Sequence, residues 1–372
     1  MKSAFLSITI VVLCLLNGND LAGQPSGPAG RGEAAPSGGA AQIADQFSGS
    51  PAAFDPTSRP TPERIANLKR AAEAGDALAQ NDLGAAYVFG SGVERSNEEA
   101  AKWFSLAAGV GFAQAQANLG YLYEKGLGVG QDYTAALGQY RAAAKGGNAQ
   151  AQTRIGVFYE NGWLVPVDRG EAVRWYRLAA EQGDAEGQRK LGNCLYAGRG
   201  TQRDYAEAGK WFRKAAEQGD AVAENNLGAL YHYGLGMKRD YAEALRWHKL
   251  AADQGLAGAA NELGVLYQDG AGVEKDYEQA ARWYRIAAEK RVARGELNLA
   301  KLYSAGKGLP LDYVSAYFWY SRALADGEPL AALGLKEISS IMTPRQKQMA
   351  EDLVAGRQEQ GSSLDTVAMR VK

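Results

Sequence analysis

The chain has 372 residues, 46% of them hydrophobic and 22% charged, and its 41 basic and 42 acidic side chains leave a net charge of -1. That balance excludes the basic field that nucleic-acid binding needs. Two cysteines (Cys14 and Cys194) and two histidines (His232 and His248) are too few and too scattered for a zinc-ligand spacing or a nucleophilic triad.

The first predicted element is an export signal over residues 1–22. Lys2 precedes an apolar run from Ala4 to Leu16, and Ala22 or Gly23 could sit at a cut. Thirteen residues are too few to span a bilayer, which needs about 20, and fit a secretory h-region. Cys14 faintly resembles a lipoprotein box, but Leu13 stands where a small residue belongs. Once the signal is removed, Cys194 is alone and no intrachain disulfide can form. Residues 23–60 carry Pro25, Pro28, Pro36, Pro51, Pro56 and Pro60 among Gly, Ala, Ser and Gln, and are expected to be a disordered linker. Thr61 then reads as an N-cap with Pro62 at the first helical position, opening a capping helix over 61–75.

From 76 to 327 a 36-residue period dominates. Leu83-Gly84, Leu119-Gly120, Ile155-Gly156, Leu191-Gly192, Leu227-Gly228, Leu263-Gly264 and Leu299-Ala300 recur in register, as do Gly90, Gly126, Gly162, Gly198, Gly234, Gly270 and Gly306. Self-similarity at this spacing marks stacked units rather than one closed core. Each of seven units reads as two helices. In the first, Ala79, Leu83, Ala86 and Tyr87 make one apolar face. A glycine inside that helix costs about 1 kcal/mol relative to alanine, so its recurrence implies close helix-to-helix approach. A Gly-x-Gly-Val loop follows. The second helix opens with capping-box spacing at Ser96/Glu99, Asp168/Glu171, Asp204/Glu207, Asp240/Glu243 and Asp276/Gln279. It closes on a glycine suited to a left-handed turn, replaced by Arg291 in one unit, which predicts strain or a different shape there. Glycine strings such as Gly126-Leu127-Gly128 are the turns of these units, not phosphate loops, since no strand precedes them.

Residues 328–358 are expected to hold C-terminal capping helices, and 359–372 to be a loose tail. Phe318 stands in a column otherwise wet (Lys102, Gly138, Arg174, Lys210, Arg246, Arg282), so it predicts a cover. Met349, Leu353 and Val354, on the helix opened by Thr343-Pro344, are the residues expected to provide it.

The pattern Leu263-Gly264, Tyr267, Gly270, Gly272-Val273, Asp276, Ala280, Trp283-Tyr284 and Ala287-Ala288 resembles the Sel-one-like repeat family, relatives of the tetratricopeptide repeats, over about 61–342. The resemblance implies an all-α fold: a right-handed α/α superhelical solenoid of seven helix-hairpin repeats with N- and C-terminal capping helices. It also implies an adaptor or scaffold role, with members known in bacterial envelopes. One cysteine-rich branch is linked to penicillin binding and β-lactamase activity, which leaves a cell-wall enzyme or glycan-binding factor as the alternative. The paired cysteines of that branch are absent here.

Neither histidine reads as catalytic. His248 takes the aromatic slot of Phe104, Tyr176, Phe212 and Tyr284, and so is expected to be a packed ring. His232 is expected at the surface, and Cys194, in a leucine-rich column, to be buried and inert. The reading implies no catalytic, cofactor or metal site. Its partner is a protein or peptide, with no nucleic acid and no stable membrane span after signal removal. Candidate groove residues come from the stripe at 82, 85 and 89 and its equivalents, which by analogy with related solenoids lines the concave wall. They are Phe89, Tyr121, Lys125, Arg154, Lys190, Asn193, Asn226 and Tyr233, with Trp163 either a loop anchor for a partner or a locally packed ring. The compartment implied is periplasmic or secreted.

Overall fold

A computed structural model describes residues 60–356. The signal over 1–22, the linker up to residue 59 and the tail over 359–372 lie outside the described residues. Among those described there are seventeen helices and no strand. A first helix, α1 (Pro62–Glu73), precedes seven hairpins. These are α2/α3 (Ala77–Phe89, Asn97–Gly109), α4/α5 (Ala113–Lys125, Tyr133–Lys145), α6/α7 (Ala149–Asn161, Arg169–Glu181), α8/α9 (Ala185–Ala197, Tyr205–Ala216), α10/α11 (Ala221–Tyr233, Tyr241–Asp253), α12/α13 (Ala257–Asp269, Tyr277–Glu289) and α14/α15 (Ala293–Ala305, Tyr313–Ala325). Two more helices follow, α16 (Ala331–Ile341) and α17 (Pro344–Val354). The helices form two compact units, one ending at Asp220 and one beginning at Ala221, each a run of stacked hairpins. The repeats thus build the all-α solenoid that the period predicts.

The first six hairpins each close on one contact, the seventh having Ala300 in place of the glycine. A Cβ added to Gly120 would lie 2.9 Å from the ring of Tyr140, and one added to Gly264 would lie 2.5 Å from Tyr284. The glycine of the first helix therefore makes room for an aromatic ring of the second, which explains its cost to helix stability. The rings at this position (Phe104, Tyr140, Tyr176, Phe212, Tyr284) are wholly buried or nearly so. His248 is buried in the same slot against Gly228, so the packed-ring expectation holds. Cys194 is free and buried, its thiol pushed up to about 12 by burial, with Glu160 adding to the shift.

Two local expectations are refined. The caps of α3, α7, α9, α11 and α13 accept backbone N–H groups at Ser96, Asp168, Asp204, Asp240 and Asp276, but the four acids meant to reciprocate reach elsewhere, Glu99 to Lys102 and Glu171 to Arg174 among them. Glu207 accepts from Arg177 and Trp211, and Glu243 from Trp247. A complete capping box is present at Thr343/Gln346 of α17. The Arg291 junction keeps the left-handed turn, with φ at 63°, so it is strained rather than reshaped.

In the second unit α17 packs on α15. Met349 and Leu353 lie against the cluster of Trp319, Tyr320, Ile338 and Met342, with Phe318 packed on the same cluster, while Val354 stays exposed. No helix among the described residues is long and apolar enough to cross a membrane.

Candidate functional site

The stripe predicted to be a groove divides into a buried seam and a wetter rim. Its 82 column is largely inside: Asp82, Asn118 and Asn226 are buried, as are Ala85, Val157 and Ala229 of the 85 column. First helices of neighbouring repeats pack side by side here and join through polar bridges. Asn118 donates to Asn81 at 2.8 Å, and Asn298 to Asn261 at 3.0 Å. The rim holds Phe89, Tyr121 and Asn193, all half-buried, and Lys125 and Tyr233, both exposed. Lys125 Nζ sits 5.7 Å from the centre of the Tyr121 ring.

Arg154 and Lys190 were expected to face a partner, but the structure spends their charge internally. Arg154 is 13% exposed and forks onto Glu124, with Nε 3.1 Å from Oε2 and the second guanidinium nitrogen on Oε1. Tyr140 Oη donates to the same carboxylate at 2.8 Å, and Lys125 Nζ lies 2.8 Å from it. Burial raises the Glu124 carboxyl, yet Arg154 and Lys125 outweigh it and hold the group at about 2. One repeat on, Glu160 accepts from Tyr176 at 2.7 Å and pairs with Lys190 at 3.5 Å. The physical reason is the stacking: a residue 30 positions on lies beside the acid of the preceding repeat. Trp163 is likewise turned inward, its ring 5.5 Å from Tyr133 and 5.6 Å from Phe158, so it packs locally rather than serving as an anchor.

The same three columns meet again in the second unit with other residues. His232 at the end of α10, His248 in α11 and Glu262 in α12 take the places of Glu124, Tyr140 and Arg154, each 108 positions on. Their ligand atoms all lie within 4.8 Å of one another. His248 Nδ1 is 2.8 Å from Asn225 Oδ1, so Nδ1 carries the proton and Nε2 a lone pair. That Nε2 is buried without a hydrogen-bond partner, and so is His232 Nδ1. The His232 ring stacks on Tyr233, with centroids 4.4 Å apart, and meets Tyr241 edge-on. Glu262 accepts from Asn261 Nδ2 at 3.1 Å. Burial lowers both imidazoles, His248 to about 3 with His232 adding to the shift, and burial raises Glu262. Both rings are therefore neutral at pH 7.

His232 was expected at the surface, and the histidines were read as lacking metal-ligand spacing. The structure corrects the first point, since His232 is half-buried with Nδ1 sealed; as to the second, spacings of 16 and 14 residues bring three possible ligands together across three helices. Each column, read alone, looked unremarkable. The signal was the coincidence of three unusual occupants at an i, i+16, i+30 spacing that holds Glu, Tyr and Arg or Lys in the second and third repeats.

The Sel1 repeat family model matches residues 77–111, 113–148, 149–184, 185–220, 221–256, 257–291 and 293–328. Among solved structures, a Sel1 repeat protein from Oxalobacter formigenes is 32% identical, with a TM-score of 0.57, over 67% of this chain and 98% of that one. A protective antigen present in uropathogenic Escherichia coli strains, displaying an SLR fold, is 26% identical, with a TM-score of 0.46, over 82% and 84%. No curated protein matches the chain.

Proposed function

Because the chain belongs to the Sel1 repeat family, whose members typically act as protein-interaction scaffolds, we propose that it is a non-catalytic adaptor for a protein or peptide. The observation that carries the reading is the aromatic rim of the first two repeats. Phe89 and Tyr121 rest on the core of α2–α4 but leave part of each ring at the surface, with the Lys125 ammonium beside Tyr121. Large, preset rings next to a cation suit interface anchors, because they present area at little entropic cost. Beneath them the Glu124–Arg154–Tyr140 network ties neighbouring repeats together, so the rim is presented on a stiff backing. The partner best suited is an extended segment that lays an apolar side chain on these rings.

We place the adaptor in the bacterial cell envelope, in the periplasm or beyond, on the strength of Lys2 and the apolar run Ala4–Leu16. The test is affinity capture from an envelope extract with the immobilised chain and with a Phe89→Ala/Tyr121→Ala variant. A set of proteins retained by the parent and lost from the variant supports the rim. Equal capture by both defeats the assignment.

A further inference from the structure

We infer that His232, His248 and Glu262 form a binding site for one divalent transition metal of the zinc class, built into the junction of the fifth and sixth repeats. The argument begins with an anomaly of packing. Buried polar atoms are nearly always hydrogen-bonded, yet two ring nitrogens of this small cluster, His232 Nδ1 and His248 Nε2, are sealed from solvent with no partner. In the second and third repeats the equivalent atoms are satisfied: Tyr140 and Tyr176 donate to Glu124 and Glu160, and a cation from the next repeat completes each set. At the junction of the fifth and sixth repeats all three places hold groups able to accept, and no Lys or Arg stands among them. A cation is the missing complement.

The donor chemistry fits that class. Two neutral imidazole nitrogens and one carboxylate are a common zinc set, with metal–ligand bonds of about 2.0–2.2 Å and a fourth position left for water or a ligand. A tetrahedral shell of that size separates its ligand atoms by about 3.3 Å. The candidate ligand atoms already lie within 4.8 Å of one another, so a metal would need to draw them together by about 1.5 Å or less. The second shell is present as well. Asn225 holds the proton of His248 on Nδ1, and Asn261 donates to Glu262, which is how ligands are held in orientation around a metal. Histidine and one carboxylate favour zinc, nickel or copper over magnesium and calcium, which take all-oxygen sets.

Occupancy would tie α10, α11 and α12 together, joining two consecutive hairpins at the place where the second and third repeats use ion pairs. It would also hold the His232 ring against Tyr233.

Isothermal titration of the tag-free full chain, stripped with a chelator, tests the proposal with zinc chloride. The expected result is one zinc per chain. His232→Ala and Glu262→Gln should each weaken binding about 100-fold or more, with helical circular dichroism unchanged. Cobalt substitution supplies a second readout that needs no variant: the wild-type chain should show the intense visible bands of a low-coordinate cobalt centre. Absence of stoichiometric uptake overturns the site, as do zinc affinities of both variants equal to the parent's. A cobalt spectrum indistinguishable from that of the aqueous ion also overturns it.

Discussion

The glycine that recurs in the first helix of six repeats supports a prediction with opposite signs in one hairpin. Gly120 and Gly138 both lie within helices of the second repeat, α4 and α5. Alanine at either gains about 1 kcal/mol of helix propensity. At Gly138 that gain stands alone, because a new Cβ meets nothing within 4 Å. At Gly120 the Cβ would lie 2.9 Å from two ring carbons of Tyr140 and 3.2 Å from the Ala136 carbonyl. Comfortable contact needs about 3.5–4.0 Å, so the ring must retreat by more than half an ångström. It has nowhere to go, since Tyr140 is wholly buried and its hydroxyl is bonded to Glu124. Overpacking of this kind costs about 1–3 kcal/mol, and a tethered ring places the cost at the upper end. Gly120→Ala should then lose about 1–2 kcal/mol while Gly138→Ala gains about 1. Urea denaturation measures both, with hydrogen exchange at the amides of α4 and α5 read alongside, because a stacked array need not unfold in one step. A Gly120→Ala protein as stable as the parent would refute the reasoning.

The Glu124 carboxyl, held at about 2 against an ordinary 4.5, gives a pH dependence. A depressed carboxylate contributes stability that is present above its unfolded pKa and is lost as pH falls through the folded one. The contribution is of order 3 kcal/mol at pH 7. Glu124→Gln should be less stable than the parent at pH 7, with the difference shrinking between about pH 4.5 and pH 2. Stability curves that run parallel across that range would contradict the pairing. Cys194, buried with its thiol pushed up to about 12, should react with a disulfide reagent only as fast as the protein opens. Rapid labelling of the native chain would show the thiol to be accessible.

Much of this protein was legible residue by residue. The 36-residue period, the turn glycines and the alternation of two helices are local or strictly repeated, so chain order carries them. The close approach implied by Gly84 and its equivalents is borne out ring by ring. The groove residues were harder to place. Column position separates a core face from its opposite but not an open rim from a seam between neighbouring repeats. Arg154 and Asn226 were therefore assigned to a surface that the next repeat covers or occupies. Trp163, open to either reading, packs locally on Tyr133 and Phe158.

The amino-acid order alone determined that helices form, that they come in pairs and that the pairs recur every 36 residues, because helix periodicity and turn chemistry act over a few residues and then repeat. Only the packed chain decided what meets across repeats. A residue, its partner 16 positions on and a third 30 positions on come together because two first helices flank one second helix. That convergence turns Glu124, Tyr140 and Arg154 into an ion-pair network and gathers the ligand atoms of His232, His248 and Glu262 within 4.8 Å of one another.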